Sequence, residues 1–433
     1  MPETLAAFTG YRDIKAKIHS QILEEMDLES LDKLEEELAR SRVGDAIRDL
    51  LHRDRTPLTH NERERMTGEI LNEVFGLGPI EPLLADDTVS DILVNGPDRI
   101  YVEREGVLER TNLFFNDAQH LMRIIERIVS RVGRRVDESS PMVDARLMDG
   151  SRVNAVVPPL ALDGPTLSIR RSSGQRMTAP MLLGNETLTA PMLALLEACV
   201  KGKLNVIVSG GTGSGKTTLL NVLSAYIPDS ERIITIEDAA ELRLNQQHVV
   251  RLETRPPNIE GKGAVRQRQL VINALRMRPD RIIVGEVRGE EAVDMLQAMN
   301  TGHEGSLTTI HANSARDALS RLETLIAMAD LDLPERAVRQ QISSAIQVLV
   351  QIARFPDGQR KVVSISEVTG LEGSVVTAQE LFVFERSGYD EHRRVRGRFR
   401  ATGIRPRFME RLDSYGVRLD AGVFQDDAWR GGH

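Results

Sequence analysis

Apolar residues recur at helical spacing near the start of the chain: Ile14, Ile18, Ile22 and Met26, then Leu31, Leu34 and Leu38, then Val43, Ile47, Leu50 and Leu51. Charged residues fill the positions between them, so the pattern predicts amphipathic helices across 11–53. The heptad is not sustained, which predicts a small helical module rather than a lone coiled coil. Thr59-His60-Asn61-Glu62 has capping-box spacing and predicts another helix through Met66, Ile70, Val74 and Phe75, ended by Gly76 and Gly78.

The period then changes. Short strand-like runs at 90–95, 99–103 and 107–111 are broken by Asn95-Gly96-Pro97 and Glu105-Gly106. A helix with Leu121, Ile124, Ile125, Ile128, Val129 and Val132 on one face follows, and strands at 152–157 and 166–170 complete an α+β domain. From 181 onward strands alternate with helices, the mark of a parallel α/β core. Beyond Phe355-Pro356-Asp357-Gly358 a hairpin and further strands are expected. The domain boundaries read as 1–75, 76–180, 181–355 and 356–433.

Length agrees, since 433 residues exceed what one core supports and imply roughly two to four domains. A hydrophobic content of 41% with 28% charged residues describes a folded chain rather than a disordered one. The net charge of −8 disfavours a protein that coats DNA. Cys199 is the single cysteine and lies in an apolar helical pattern, so there is no disulfide framework, which fits a reducing cytoplasm. No apolar run approaches the roughly 18–20 residues that span a bilayer, and the N-terminus lacks the apolar core of a signal peptide. A membrane role is therefore expected only through a partner. Seven arginines between Arg393 and Arg407 read first as a solvated or inter-subunit face, with nucleic-acid or anionic-lipid contact as the alternative.

The candidate chemistry centres on 204–220, LNVIVSGGTGSGKTTLL. An apolar strand runs into Gly210-Gly211-Thr212-Gly213-Ser214-Gly215-Lys216-Thr217-Thr218 and then into an apolar helix start, the context that identifies a P-loop. Glycines let successive N–H groups turn toward phosphates, and the helix N-terminus adds partial positive charge. Lys216 is expected on the β- and γ-phosphates and the Thr217 hydroxyl on Mg²⁺. No guanine-reading Asn-Lys-x-Asp occurs, which points to ATP rather than GTP.

Ligands of open α/β sheets bind beyond the carboxyl ends of the strands. Three further strands end in polar groups there: 232–236 at Glu237-Asp238, 281–284 at Gly285-Glu286-Val287-Arg288, and 306–310 at His311. Phosphoanhydride hydrolysis needs a carboxylate to place the attacking water. Glu286 is the expected water-handling group, and Glu237 the second carboxylate, toward the magnesium shell. His311 reads as a sensor of nucleotide state or as a structural histidine.

These residues resemble one family, the secretion-superfamily ATPases of type II and type IV secretion and type IV pili. GGTGSGKTT resembles its Walker A, TIEDAAEL its Asp box, LRMRPDRIIVGEVRGEEA its atypical Walker B and GHEGSLTTIHANS its His box, in family order. GLGPIEPLLADDTVSDILVNGPDRIYVEREG and DARLMDGSRVNAVVPPLALDGPTLSIRR resemble the N-terminal domain of the CpaF branch, the motor of tight-adherence (Flp) pili. The resemblance implies a RecA-like P-loop core preceded by a PAS-like α+β domain and a helical module. It also implies a cytoplasmic homohexamer acting at a bacterial inner membrane on a pilus platform protein. Under it Glu286 is the catalytic Walker B glutamate, and Gly285 stands where an aspartate might be expected. Arg146, Arg152, Arg170 and Arg171 become the candidates that cap the phosphates, with Arg288 and Arg276 beside Walker B. Two alternatives remain: a type IV secretion ATPase that moves protein or DNA substrates, and a RecA-like nucleic-acid motor, which scarce aromatics and acidic charge oppose.

Overall fold

The computed structural model describes residues 2–25, 35–53, 58–104, 106–172, 177–257, 262–329 and 333–425. The chain divides into two compact units, Met1–Gln175 and Arg176–His433.

In the first unit, helices Pro2–Glu25, Glu36–Arg53 and His60–Phe75 bury Ile18, Ile22, Val43, Ile47, Leu51, Met66 and Ile70 together. Met26, Leu31 and Leu34 lie outside the described residues. Leu38, expected in the core, is 49% exposed, and Ala39 is buried instead. Residues 39, 43 and 47 repeat every four positions, and Leu38 falls a full helical step off that stripe. The capping box forms: Thr59 N–H donates to Glu62 Oε2 at 2.7 Å while Glu62 N–H donates to Thr59 Oγ1 at 3.3 Å.

The same unit holds an antiparallel sheet of β1 (Val89–Asn95), β2 (Ile100–Arg104), β3 (Val107–Arg110), β4 (Met142–Arg146), β5 (Arg152–Val156) and β6 (Thr166–Arg170). Their order is β3-β2-β1-β6-β5-β4. Helix Ala118–Arg131 covers it with Leu121, Ile124, Ile125, Ile128 and Val129. Val132 falls past the helix end and is 40% exposed rather than on the buried face. The edge strand β4 escapes sequence reading because only Val143 of its five residues is buried.

A charged cluster sits inside this unit. Glu73 is buried with Lys15 Nζ at 2.8 Å and His19 Nδ1 at 3.7 Å, and Asn116 N–H donates to His120 Nδ1 at 3.3 Å. Burial pushes both histidines below their ordinary value, outweighing the pull of Glu73, with Lys15 and Arg123 adding to the depression. The folded chain therefore binds these protons less readily than the unfolded chain. Stability is full above the unfolded histidine value of about 6.5 and is lost as pH falls below it. Hydrogen-exchange protection of Ala118–Arg131, corrected for intrinsic rates, is expected to drop between about pH 7.5 and about pH 5.5. Unchanged protection would contradict this account of the cluster.

The second unit is built on one mixed sheet: β7 (Val206–Gly210), β8 (Ile233–Glu237), β9 (Val249–Glu253), β10 (Arg281–Val287), β11 (Leu307–Ile310), β12 (Val348–Arg354), β13 (Arg360–Glu372), β14 (Val375–Tyr389) and β15 (Val395–Ala401). The order is β15-β14-β13-β12-β7-β11-β10-β8-β9. From β12 to β9 the neighbours are parallel, while β13, β14 and β15 add an antiparallel meander. Central strands β7, β8 and β11 are buried along their whole length, as expected when helices cover both faces. Helices Ala190–Lys201 and Lys216–Ser224 fill one core, and Glu291–Asn300, Ala315–Ala327 and Glu335–Ala345 the other. This is the RecA-like α/β arrangement. The sheet's carboxyl edge gathers the ends of β7, β8, β10 and β11, with the β12–β13 turn beside them.

Candidate nucleotide site

The loop after β7 wraps as glycine permits. Gly213 and Gly215 have φ of 67° and 97°, in the left-handed region, and Gly215 caps helix Lys216–Ser224. The loop thereby leads straight into a helix N-terminus, a ready anion site. Lys216 is buried, and its Nζ donates to Gly211 O at 2.9 Å. Burial pushes its pKa down, with the carboxylate of Glu286 pulling against that shift.

A chain of polar contacts connects this loop to β10 and β11. Thr212 Oγ1 lies 3.1 Å from His311 Nε2, and His311 Nδ1 lies 3.3 Å from Glu286 Oε1. Arg288 Nη2 donates to Glu286 Oε2 at 2.8 Å, and its Nη1 to Asp238 Oδ2 at 3.4 Å. Burial pushes the Glu286 carboxyl up, but Arg288, the His311 contact and Lys216 together hold it below its ordinary value. Glu286 is thus a carboxylate at neutral pH. Its own carbonyl accepts from Gln267 Nε2 at 2.9 Å, and the Arg288 and Gly289 N–H groups donate to Glu291 Oε1 at 2.6 and 2.8 Å. β10 runs on to Val287, so Glu286 belongs to the strand rather than to the loop beyond it.

Gly285 owes its identity to Glu237. A Cβ at 285 would stand 2.8 Å from Glu237 Cγ and 3.5 Å from its Cβ. Glu237 is held there: buried, its Oε2 accepts from the N–H groups of Glu241 and Leu242 at 2.8 and 2.9 Å. Burial pushes its pKa up, against the two N–H groups that favour the charge. Its Oε1 is buried without a hydrogen-bond partner.

Magnesium tends to keep waters and phosphate oxygens with few protein ligands. The described residues hold no cluster of three or more His, Cys, Asp or Glu groups arranged for a metal. The hydroxyl of Thr217 at the helix start and the unpartnered Oε1 of Glu237 are the oxygen donors that fit such an ion. Their hard oxygen chemistry suits it.

Two arginines went unread in the sequence. Arg360 Nε donates to Gly213 O at 3.1 Å, and a Cβ on Gly213 would stand 3.2 Å from Arg354 Nη1. They flank the Phe355–Gln359 turn, which the sequence predicts as a hairpin; that the hairpin lies beside the P-loop follows only from the pairing of β12 with β7.

Arg276 is not brought to the cluster, for it sits in the segment entering the amino end of β10. The remaining candidate arginines belong to the first unit. Arg146, Arg152 and Arg170 stand directly opposite one another across β4, β5 and β6, and the row ends at Asp91, whose Oδ1 is 3.1 Å from Arg170 Nε. Like charges placed opposite across a sheet cost stability, and the Asp91 carboxylate beside Arg170 offsets part of that cost. Arg171 is engaged within its own unit, donating to the carbonyls of Asp86 and Val89. Its side chain is buried, unlike that of Arg170.

Known proteins resemble this chain over most of its length. The family described as Type II/IV secretion system protein matches residues 73–406. A protein of Mycobacterium tuberculosis (strain CDC 1551 / Oshkosh) that carries a conjugal transfer name is 42% identical over 311 residues, covering 70% of this chain and 87% of that protein. The conjugal transfer protein TrbB of Rhizobium radiobacter is 33% identical over 67% of this chain and 86% of its own length. The type IV secretion system protein PtlH of Bordetella pertussis is 35% identical over 69% of this chain and 95% of its own length.

Proposed function

The chain belongs to the Type II/IV secretion system protein family, and from that membership we propose that it is a hexameric ATPase that drives assembly of a tight-adherence pilus through an inner-membrane platform protein. The observation that carries the enzymatic part is the chain of contacts from Thr212 through His311 to Glu286 and Arg288 beside Lys216. In this reading the P-loop N–H groups and Lys216 hold the ATP phosphates. Glu286, ionised and fixed by Arg288, orients the attacking water and accepts its proton. His311 spans the space between Thr212 and Glu286, so that a change at the phosphate reaches the carboxylate through one ring. Thr217, and Glu237 in part through water, would hold Mg²⁺, which would supply charge neutralisation at the phosphates. The row of Arg146, Arg152 and Arg170 is the candidate source of further transition-state charge.

Support for the pilus role comes from the likeness of the helical module and N-terminal domain to the CpaF branch. A second reading, transfer of substrates by a type IV secretion system, is favoured by the names that the relatives carry. No helix among the described residues is long and apolar enough to cross a membrane, so action at the membrane is assigned to the partner.

The nucleic-acid motor reading is weakened by the basic stretch itself. Arg398 Nε and Arg400 Nε both donate to Glu385, at 3.0 and 2.5 Å, and Arg407 Nη1 donates to Thr369 O at 3.0 Å. Turnover of Mg·ATP by the full chain is expected to change less than about twofold when single-stranded DNA is added, at any salt concentration. A several-fold, salt-sensitive rise would overturn the pilus reading in favour of a DNA-coupled motor.

A further inference from the structure

Strand β10 loses its alternation where it reaches the site. Ile282 and Val284 pack into one core of the second unit and Ile283 into the other, as the two-residue period of a strand requires. Continued unbroken, that period would send Glu286 the way of Val284, and Val287 the way of Ile283. Val287 instead joins Ile282 and Val284 in their core, and Glu286 is left partly exposed. The pairing shows the cause. β10 and β11 run in register at Ile283 with Leu307 and Val284 with Thr308, but the next pair is Val287 with Ile310. Gly285 and Glu286 therefore stand together opposite Thr309 alone, which is a β-bulge. On the other flank, the ladder between β10 and β8 stops at Val284 with Ile236.

A bulge disrupts the ladder, so its backbone groups need partners from elsewhere. Two buried side chains supply them. Thr309 Oγ1 donates to Gly285 O at 2.7 Å, and Gln267 Nε2, from the start of helix Gln267–Ala274, donates to Glu286 O at 2.9 Å. Thr309 is fully buried and Gln267 is 6% exposed, so each donor is shielded from water, where loss of a hydrogen bond costs most. Both bonds are made to the main chain, while the Glu286 carboxylate itself meets His311 and Arg288. In an unbulged strand that carboxylate would face the apolar core of Ile282 and Val284, a costly place for a charge.

We propose that Thr309 and Gln267 are positioning residues for hydrolysis: they hold the bulge that takes Glu286 off the core-facing row and turns its carboxylate toward His311 and Arg288. The proposal rests on the ATP reading above and adds to it the two side chains that aim the water-handling group. A misplacement of about 1 Å at a reacting group can cost about 10²-fold in rate. Binding of the phosphates, which rest on Lys216 and the loop glycines, would be left intact.

The test measures single-turnover cleavage and affinity of Mg·ATP in the full chain, for wild type, Thr309→Val, Thr309→Ser, Gln267→Met, Glu286→Gln, and Thr309→Val combined with Glu286→Gln. Thr309→Val keeps the volume but removes the donor, and is expected to slow cleavage at least about tenfold with affinity within about threefold of wild type. Thr309→Ser restores the hydroxyl and is expected to cleave within about threefold of the wild-type rate. Gln267→Met is expected to slow cleavage without loss of affinity. Added to Glu286→Gln, Thr309→Val is expected to cost less than about twofold more, because a side chain that acts through the Glu286 carboxylate has nothing left to aim. A further loss of about tenfold in that background, or loss of ATP binding in Thr309→Val and Gln267→Met, would assign the two side chains to the fold alone and overturn the proposal. Wild-type cleavage in Thr309→Val or in Gln267→Met would overturn it and leave the ATP reading standing. A wild-type chain that neither binds nor cleaves ATP would overturn the ATP reading itself, and the proposal with it.

Discussion

Replacing Gly285 with aspartate is expected to destabilise the P-loop unit by about 3 kcal/mol, rather than to supply a carboxylate that the site lacks. The new Cβ would sit 2.8 Å from Glu237 Cγ. Neither partner can retreat cheaply: Glu237 is fixed by two N–H donors, and the carbonyl of Gly285 accepts from Thr309 Oγ1 at 2.7 Å. A second carboxylate would also be introduced beside a buried one whose pKa is already raised by burial. Urea unfolding of Gly285→Asp, Glu237→Ala and the double variant checks this. The double variant is expected to be more stable than the sum of the two losses by at least about 1 kcal/mol, because Glu237→Ala removes the clash. Simple additivity would show that Glu237 is not what keeps position 285 a glycine.

Glu286→Gln carries the other large effect. The amide keeps the shape of the side chain and its place on β10 but loses the charge and the basicity. Arg288 would then face a neutral oxygen instead of the carboxylate it donates to at 2.8 Å, while Asp238 at 3.4 Å remains to hold it. The phosphate-holding parts, Lys216 and the loop glycines, do not depend on Glu286 for position, since Lys216 Nζ donates to Gly211 O. Hydrolysis is expected to fall by about 10²–10⁴-fold, the usual worth of a positioned base, with ATP affinity within about threefold of wild type.

Much of the site was legible because it is written locally. The P-loop is one strand, one glycine-rich turn and one helix start, and each signals itself within a few residues. The polar ends of β8, β10 and β11 could be picked out because apolar strands stop at recognisable residues, and the parallel order then brings Glu286 and His311 together. What the sequence hid depends on pairing between distant segments. Nothing near Gly285 announces that Glu237 packs against it, since that contact needs β8 and β10 to be neighbours in register. Arg360 reaches the P-loop only because β13 follows β12 and β12 lies beside β7. The row Arg146, Arg152 and Arg170 likewise appears only once β4, β5 and β6 are aligned. The edge strands β4 and β9 were hidden for another reason. Along β9 none of the five residues is fully buried, so the apolar alternation that marks a strand is weak there.

The central claim is that this chain cleaves ATP with Glu286 handling the water. It is tested most directly by single-turnover chemical quench, mixing excess protein with Mg·ATP and following phosphate formation in wild type and Glu286→Gln. The predicted result is cleavage in the wild type and, in the variant, a rate lower by at least about 10²-fold with the nucleotide still bound. Cleavage by Glu286→Gln at the wild-type rate, from an equally well-bound nucleotide, would contradict it.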